Sequence, residues 1–399
     1  MKRPLKIAFI IPRYHVSQAG GAEILVERLA ERLFLKGHSV EVLTTCANDH
    51  TRWESEIPEG VEKINGIEVH RFRIDPRVNF TRFVSLQQRI DRGWPLSLKE
   101  EEAWIAGSLH SQVLYQALKD RREEWDALVF APYLFGITYR GLQIAPEKSF
   151  LIPCLHPEPY AYLKIFQSMF RKPRGILFNS IPEKELGKKL FEISEERCAV
   201  VGMGFHQKTY SNGSEFREKF KLGSGPFILY AGRREKGKNT PLLIEYFLTY
   251  KKHHPGDLKL ILLGSGKIPY EGEKVQDVID LGYVSAADMD QAYQSAAVVC
   301  QPSVNESFAI VLMESWLAST PVLVNGKCAV TRDHVQRSGG GLWFNNYFEF
   351  EECINLFVKD EHLRNKIAIQ GKQYVVENFD WEDVLERFLK AIEKGLEHK

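Results

Sequence analysis

The chain has 399 residues, 44% of them apolar, and its 53 basic and 52 acidic side chains leave a net charge of +1. This length predicts two domains, or three small ones, with conventional hydrophobic cores. The near-zero charge gives no general attraction to nucleic acid or to anionic membranes. The six cysteines are scattered with no Cys-x-x-Cys pair, which indicates a reducing cytoplasm and implies no metal site.

The N-terminal half alternates predicted strands and helices. A strand over 6–12, a helix over 22–36 and a strand over 39–45 make the βαβ unit that opens a parallel sheet. The first apolar run is too short for a signal-peptide core or a membrane span. The remaining predictions for this half are strands over 67–72, 127–131, 150–154 and 175–179, an irregular aromatic-bearing segment over 75–99, and a helix from 97 to about 122.

Gly20 and Gly21 stand directly before the first predicted helix. Two glycines allow an anion to approach the free N–H groups of a helix start. The Gly-x-Gly-x-x-Gly spacing of a nicotinamide dinucleotide site is absent. An anion-binding loop and a simple turn therefore remain equally open at this point.

His156 follows the predicted strand that ends at Cys154. Loops at the carboxyl ends of strands are where doubly wound sheets bind ligands, although a lone histidine is more often structural. The next predicted helix, from Tyr162 to about Arg171, mixes apolar and basic side chains. Packing on its own sheet is favoured for this helix over a position on a membrane surface.

The pattern loses apolar periodicity between 202 and 226, which predicts a domain crossover. The second series comprises strands over 227–231, 258–263, 298–300 and 321–324, a short element over 274–281, and helices over 240–251, 286–295 and 308–318. An amphipathic helix closes the chain from 379 onward. We therefore predict two doubly wound α/β domains, over 1–204 and 205–378, and a terminal helix over 379–399.

The loop after the strand over 227–231 concentrates four cations in the run Gly-Arg-Arg-Glu-Lys-Gly-Lys, residues 232–238. Arginine forks and lysine charges suit phosphate oxygens, and the following helix adds its dipole. A solvated basic loop is the alternative. The run Gly-Ser-Gly-Lys over 264–267 invites a P-loop interpretation, which we reject because the required Ser or Thr after the lysine is absent.

Glu306 and Glu314 lie eight residues apart around the predicted helix over 308–318. A continuous helix would separate them by roughly 12 Å along its axis. The positive helix start between them would favour a diphosphate, with a carboxylate on each side for hydroxyl groups. The alternative is an ordinary acid at a helix start and a solvated surface residue.

The segment Pro-Ser-Val-Asn-Glu-Ser-Phe over 302–308, followed by Glu314 and by Thr-Pro-Val over 320–322, resembles the Glu-x7-Glu region of family four retaining glycosyltransferases of the GT-B fold. The resemblance implies that Glu306 contacts hydroxyls of the donor sugar and that Glu314 holds the ribose of the nucleotide. It also implies that the helix start, with Ser307, Phe308 and Ala309, receives the donor phosphates. Ser307 and Ala309 replace glycines that are usual around this phenylalanine, and Ala-Ser at 318–319 stands where Cys-Gly is common.

The same resemblance assigns roles to other positions. The loop over 232–238 resembles the family's Gly-Arg, four residues, then Lys, which makes Arg233 and Lys238 the pair that neutralises the leaving nucleoside diphosphate. Gly20 and Gly21 resemble the glycine loop that faces the donor diphosphate. The further implied positions are Gly264 in a turn beside the nucleotide, Tyr283 and Val284 in the segment whose backbone reads the base, and His156 near the reacting face of the sugar, where Pro157 replaces a common Asp.

The resemblance implies a GT-B fold, with two facing Rossmann-like domains and a terminal helix that crosses back to the first. It implies retaining transfer of a hexose-type sugar from a nucleoside diphosphate sugar, such as a UDP- or GDP-sugar, to an unknown acceptor hydroxyl. No cofactor or metal is expected, because two cations and a helix dipole already oppose the diphosphate. The expected location is the cytoplasm, with peripheral attachment at the inner face of a membrane left open. The alternatives are a nucleotide-sugar-binding subunit without catalysis and a nucleotide-sugar epimerase of the same fold.

Overall fold

The chain divides into two compact units in its computed structural model, which describes residues 3–16, 19–49, 53–208, 213–234, 236–266 and 276–397. The first unit comprises Met1–Met203 with Trp381–Lys399, and the second comprises Gly204–Asp380. Each unit is an α/β body built around its own sheet.

The described residues of the first unit form an eight-stranded sheet. Its strands are β1 (Lys6–Ile11), β2 (Ser39–Thr45), β3 (Gly60–Ile64), β4 (Ile67–Phe72), β5 (Ala127–Phe130), β6 (Ser149–Leu151), β7 (Gly175–Phe178) and β8 (Cys198–Val200). They lie in the order β3-β4-β2-β1-β5-β6-β7-β8, and every neighbouring pair is parallel except β3 and β4. The central strand β1 is almost entirely apolar because helices cover both faces of the sheet.

The helices of this unit, up to the crossover, are α1 (Gly21–Leu35), α2 (Phe80–Asp91), α3 (Leu98–Ala106), α4 (Gln112–Arg121), α5 (Gly136–Gly141), α6 (Lys164–Arg171) and α7 (Ile181–Phe191). Phe166 and Phe170 of α6 lie in the main core of the unit, so this helix packs on its own sheet. The structure therefore agrees with the prediction that the apolar face of α6 packs on its own sheet rather than on a membrane surface.

Three expectations for the first unit need correction. The segment over 75–99 is not irregular throughout, because α2 occupies its centre and buries Leu86 and Ile90 at helical spacing. The helix expected from 97 to about 122 is two helices: α3 ends at Ala106, and the Ser111 hydroxyl accepts a hydrogen bond from the Leu114 N–H at the start of α4. The strand expected over 150–154 ends at Leu151, since Cys154 has a left-handed φ of 52°.

The described residues of the second unit form a six-stranded parallel sheet. Its strands are β9 (Phe227–Ala231), β10 (Lys259–Leu263), β11 (Val278–Gly282), β12 (Val298–Gln301), β13 (Val322–Asn325) and β14 (Gly341–Phe344), in the order β11-β10-β9-β12-β13-β14. Its helices are α8 (Ser214–Lys219), α9 (Thr240–His253), α10 (Ala286–Ser295), α11 (Ile310–Leu317), α12 (Ala329–Ser338), α13 (Tyr347–Lys359) and α14 (Glu361–Asn378). The short element expected over 274–281 is β11, and residues 267–275 lie outside the described residues.

The terminal helix α15 (Trp381–Glu397) belongs to the first unit. Its Phe388 is fully buried and stacks on Phe9 of β1 with ring centroids 6.2 Å apart. At the start of the helix, Glu382 forms an ion pair with Lys36. The chain thus crosses back to its first unit, as expected. None of the helices within the described residues is long and apolar enough to cross a membrane.

Candidate functional site

Most candidate residues of the second unit lie in loops that follow parallel strands. Arg233 and Lys238 follow β9, Gly264 follows β10, Tyr283 and Val284 follow β11, and Glu306 to Ala309 follow β12. The carboxyl ends of parallel strands share one edge of a sheet, which is where doubly wound sheets bind their ligands. Because β9 and β12 are neighbours in the sheet, the basic loop and the Glu306 turn leave from adjacent strand ends.

Lys238 and Glu306 form a direct ion pair, with Lys238 Nζ 2.8 Å from Glu306 Oε1. The side chains are 25% and 10% exposed, respectively, so the pair is largely shielded from solvent. Gln301, the last residue of β12, also points its Nε2 at the same carboxylate oxygen, at 3.3 Å. The structure therefore brings two predicted site residues into contact, although 68 positions separate them in the sequence.

The turn that carries Glu306 is fixed by its backbone. The carbonyl oxygen of Pro302 accepts a hydrogen bond from Asn239 Nδ2 at 3.1 Å and another from Asn325 Nδ2 at 3.2 Å. Asn239 directly follows the basic loop after β9, Pro302 follows β12, and Asn325 ends β13. The segments at these three strand ends are therefore tied together at one oxygen. Such ties hold charged groups in place before a ligand arrives.

Sequence reasoning missed Gln301, Asn239 and Asn325. A signal for two of them was present, because Gln301 and Asn325 are the polar last residues of the otherwise apolar strands β12 and β13. A polar side chain at the carboxyl end of a buried parallel strand is well placed for a site at that edge.

The two arginines of the basic loop have different surroundings. Arg234 is 5% exposed and donates hydrogen bonds to the carbonyl oxygens of Gly264 (2.8 Å), Leu262 (3.2 Å) and Gly266 (3.2 Å). It also pairs with Asp280, so it fastens the ends of β10 and β11. Arg233 is half-buried, and its carbonyl oxygen accepts a hydrogen bond from the Tyr230 hydroxyl at 2.7 Å. Glu235, Lys267 and the side chain of Lys236 lie outside the described residues.

Gly264 stands where two backbones touch. It has a φ of 120°, and a Cβ at this position would lie 2.1 Å from the carbonyl oxygen of Gly232. Its N–H donates to the carbonyl oxygen of Gly282 at 2.8 Å. Only glycine fits such an approach, so Gly264 packs the loops after β9, β10 and β11 against each other. Tyr283, in the last of these loops, is 75% exposed, whereas the adjacent Val284 is buried.

The helix expected over 308–318 begins at Ile310, because Ala309 adopts a left-handed φ of 67°. Glu306 therefore lies in the turn four residues before α11, and the separation of roughly 12 Å for a continuous helix from Glu306 to Glu314 does not apply. Among the described residues, no side chain forms a capping hydrogen bond with the first N–H groups of α11. Ser307 is half-buried in the same turn.

Phe308 belongs to an aromatic core. It is 5% exposed, and its ring lies 6.1, 5.5 and 5.2 Å from the rings of Phe205, His334 and Phe379, respectively. Its side chain therefore anchors the turn, and any ligand contact of Phe308 would come from its backbone. Glu314 is half-buried on α11, and its Oε2 accepts a hydrogen bond from the Tyr293 hydroxyl at 3.1 Å.

In the first unit, Gly20 caps α1 and Gly21 is its first residue. The Gly20 N–H donates to Glu23 Oε2 at 3.0 Å, and the other oxygen of Glu23 lies 2.7 Å from Nη2 of the buried Arg13. One amide of the predicted anion-binding loop is therefore occupied by a side chain of its own helix. Residues 17 and 18 of this loop lie outside the described residues.

His156 lies at the carboxyl edge of the first sheet, after β6. Its Nδ1 is 3.3 Å from Glu158 Oε1, and that oxygen also accepts a hydrogen bond from the Tyr133 hydroxyl at 2.8 Å. Pro157 provides no carboxylate after His156, but Glu158 places one beside the ring.

A buried acid supports the His156 loop. Glu183 is 1% exposed, and its carboxyl group accepts hydrogen bonds from the N–H groups of Leu155, at 2.6 Å, and Asn179. Burial raises the pKa of Glu183 to about 8. Sequence reasoning missed this support, because acids are common in the first turn of a helix, where the helix dipole favours them. Within the described residues, no three His, Cys, Asp or Glu side chains form a group that could hold a metal ion.

Residues 212–374 match the family model of glycosyl transferases group 1, and this segment carries Arg233, Lys238, Glu306 and Glu314. The solved sucrose-phosphate synthase from Thermosynechococcus elongatus is similar in fold, with a TM-score of 0.73 and 16% identity over 98% of each chain. The chain has the GT-B fold and carries a glycosyl transferases group 1 segment in its second unit. The family match supports the expected enzyme class, and the solved structure confirms the expected fold.

Other similar proteins match nearly the whole chain. An uncharacterized glycosyltransferase of Methanocaldococcus jannaschii is 24% identical over 98% of this chain and 99% of the relative. A D-inositol 3-phosphate glycosyltransferase of Stackebrandtia nassauensis is 20% identical over 96% of this chain and 88% of the relative. The Anabaena protein HepE, solved with UDP and glucose, has a TM-score of 0.69 and 17% identity over 98% of this chain and 99% of that protein.

Proposed function

We propose that this glycosyltransferase moves a hexose-type sugar from a nucleoside diphosphate sugar to an acceptor hydroxyl, with retention of configuration at the anomeric carbon. The observation that carries the proposal is the shielded Lys238–Glu306 ion pair at the carboxyl edge of the second sheet. HepE, a neighbour in fold, has been solved with UDP and glucose, which supports a donor of this class.

The charges of the site match the charges that develop during transfer. As the bond between the anomeric carbon and the phosphate oxygen breaks, negative charge grows on the leaving diphosphate and positive charge grows on the sugar ring. Lys238, Arg233 and the uncapped start of α11 oppose the negative charge, which is catalysis by prearranged electrostatics. The positive end of a helix is a recurrent site for phosphate groups.

The ion pair also supports a proposal for how the donor binds. Lys238 exchanges the Glu306 carboxylate for the phosphate oxygens, and Glu306 exchanges Lys238 for sugar hydroxyls, while Gln301 holds the carboxylate in place. Glu314 accepts hydrogen bonds from the ribose beside Tyr293. Each charge therefore keeps a partner in the free and in the donor-bound site.

We assign no carboxylate as nucleophile. The acceptor hydroxyl attacks the anomeric carbon on the face from which the diphosphate departs, and the leaving phosphate takes the hydroxyl proton. This differs from retaining hydrolases, in which two closely spaced carboxylates divide the reaction into two displacements. We further propose that transfer needs no metal, since two cations and a helix dipole neutralise the diphosphate.

The first experiment identifies the donor. A thermal-shift screen against UDP, GDP and ADP and their hexose sugars should raise the melting temperature for one base, because a ligand of the folded state alone stabilises it. Hydrolysis of that donor to nucleoside diphosphate and sugar can then be followed by NMR. The first sugar formed should keep the anomeric configuration of the donor, and inversion would contradict the mechanism.

The second experiment compares two lysines of the second unit. Lys238→Ala should slow donor turnover at least about a hundredfold, which is typical for the loss of a prearranged charge contact. Lys252→Ala, at an exposed position near the end of α9, should leave the rate unchanged. Equal rates for the two variants would remove Lys238 from the site.

Three further results would change the proposal. Complete loss of activity in excess chelator, restored by Mg²⁺ or Mn²⁺, would contradict metal independence. Tight donor binding with no hydrolysis and no transfer would assign the chain to nucleotide-sugar-binding subunits, and conversion of the donor sugar without its release would assign it to epimerases.

A further inference from the structure

A cavity of about 730 Å³ opens in the first unit, among the segment after β4, helix α4 and helix α5. This volume is within the range of small-molecule sites. The described wall contains the four cationic side chains of Arg77, Lys119, Arg122 and Arg140, and its one acidic residue is Asp75. Four like charges around one concave surface attract anions.

The acid of this wall is already engaged. The two oxygens of Asp75 lie 3.1 and 3.0 Å from the N–H of Gln112, the first residue of α4. The Asp75 N–H donates to the carbonyl oxygen of His110 at 2.9 Å. Asp75 thus joins the segment after β4 to the start of α4, and its carboxylate bonds a helix terminus.

Two of the cations are not paired with acids. Lys119 and Arg140 form no ion pair with any carboxylate of the described residues, and both side chains are exposed. Arg122 lies 3.3 Å from Glu123, where both side chains are largely exposed, and such pairs are weak. The positive charge of the cavity is therefore not neutralised by its own wall.

His110 and Tyr115, which also line the cavity, are uncharged and held by hydrogen bonds. His110 places Nδ1 2.7 Å from the Tyr115 hydroxyl and Nε2 2.7 Å from the carbonyl oxygen of Ile105. Burial, with a contribution from the nearby Arg140, lowers the pKa of His110, so the ring is neutral at pH 7. A Cβ at Gly136 would lie 2.4 Å from this ring, which shows how closely α5 packs against it.

One end of the cavity wall lies at the carboxyl edge of the sheet. Asp75 follows β4, and Gly136 follows β5, in the same way that His156 follows β6. Helices α4 and α5 run back from that edge, so Lys119 and Arg122, at the other end of α4, lie farther from it. A ligand that binds along this wall with its charged group at Lys119 extends toward the edge that carries His156.

We propose that this cavity binds the phosphate group of the acceptor, and hence that the acceptor is a phosphorylated compound. The inference rests on the proposed function, because it names the class of acceptor for that transfer. Arg140 and Arg77 provide fork-shaped donors for phosphate oxygens, and Lys119 provides a point charge.

The first test is a calorimetric binding experiment on the full chain at low ionic strength. Its probes are glucose 6-phosphate, glucose and inorganic phosphate. Glucose 6-phosphate and inorganic phosphate should bind, and glucose should bind at least about tenfold more weakly. Added salt should weaken binding of the two charged probes, because salt screens charges of this kind.

Matched variants locate the binding. Arg140→Gln and Lys119→Gln should each weaken glucose 6-phosphate binding at least about tenfold, since a charge-assisted contact is lost. Arg82→Gln, at an exposed position on α2 outside the cavity wall, should bind as the parent does. Equal affinities of the parent and Arg140→Gln, or equal affinities for glucose and its phosphate, would overturn the proposal.

The nucleotide separates this proposal from the proposed function. UDP or GDP should bind the parent and all three variants with equal affinity, because none of the three substituted residues belongs to the assigned donor site. Failure of every nucleotide to bind would defeat the proposed function, while Arg140-dependent phosphate binding would still support the cavity as an anion site. In the transfer assay, acceptors that carry a phosphate should react faster than their neutral counterparts, and equal rates would refute the assignment to the acceptor.

The phosphate could belong to a soluble compound or to a lipid. Sedimentation with phosphatidic acid vesicles, compared with phosphatidylcholine vesicles, distinguishes these sources. Cosedimentation that is lost in Arg140→Gln supports a lipid phosphate, and glucose 6-phosphate binding without cosedimentation supports a soluble one. If neither occurs, the cavity is not a phosphate site.

Discussion

Removal of the Glu306 carboxylate should strengthen the binding of a nucleoside diphosphate. In the free protein this carboxylate holds Lys238 at 2.8 Å, so a diphosphate must compete for the lysine. Glu306→Gln keeps the shape of the side chain and removes its charge. The released lysine can then bind phosphate oxygens without first leaving a charged partner.

The geometry of the pair sets the size of the effect. Exposed ion pairs contribute about 0.2–1 kcal/mol, whereas breaking a buried pair costs about 3–5 kcal/mol. With exposed fractions of 25% and 10%, the Lys238–Glu306 pair lies between these limits, and we estimate about 1–2 kcal/mol. The glutamine oxygen still accepts a hydrogen bond from Lys238, so the lower end applies, which is about fivefold in the dissociation constant.

Calorimetric titration with the preferred diphosphate measures this change. Glu218→Gln removes the same charge at an exposed position of α8 and should leave the affinity unchanged. Glu314→Ala should weaken binding, because that carboxylate is assigned to the ribose. Turnover of Glu306→Gln should nevertheless fall about tenfold or more, since the sugar loses a hydrogen bond to a charged acceptor. Unchanged or weaker diphosphate binding in Glu306→Gln would refute the competition between carboxylate and phosphate for Lys238.

Two predictions concern stability. Because burial raises the pKa of Glu183 to about 8 from an ordinary 4.5, the folded chain holds one more proton than the unfolded chain between these values, and its free energy of unfolding should fall as pH rises through this window. Urea unfolding at pH 5 and pH 8 should show this loss for the parent and a flatter profile for Glu183→Gln; equal profiles would contradict a proton on this carboxyl group. Gly264→Ala should destabilise the second unit by at least about 1–3 kcal/mol, because its Cβ would meet the Gly232 oxygen at 2.1 Å, whereas Gly237→Ala has open space and should unfold at the parent's temperature.

The sheets and the carboxyl-edge loops could be predicted because their strands are uninterrupted apolar runs. Strands such as β1 and β9 are buried on both faces and are therefore almost entirely apolar. Each such strand can be recognised from its own sequence. The edge strand β3 was not predicted, since its face is exposed and its sequence, GVEKI, has no apolar alternation. Helix α2 was missed because polar residues surround its two buried positions.

The contacts of the site could not be predicted from the sequence because they depend on strand order. Lys238 meets Glu306 since β9 and β12 are neighbours, and local patterns do not specify which strands pair. The start of α11 was placed too early for a local reason. Ala309 adopts a backbone conformation that alanine rarely takes, so neither propensity nor periodicity indicated that the helix would begin after it.

The Lys238–Glu306 ion pair of the free protein affects which ligands can bind the site. Two half-buried charges are stable in the free protein because each has the other as partner. A free hexose offers hydroxyls to Glu306 but no anion to Lys238, whereas an inorganic diphosphate offers the anion but no hydroxyls in the place of the sugar. Under the proposed function, a nucleoside diphosphate sugar replaces both partners at once, so the complete donor compensates for the opening of the pair. We therefore expect the contact between Lys238 and Glu306 to discriminate against fragments of the proposed donor.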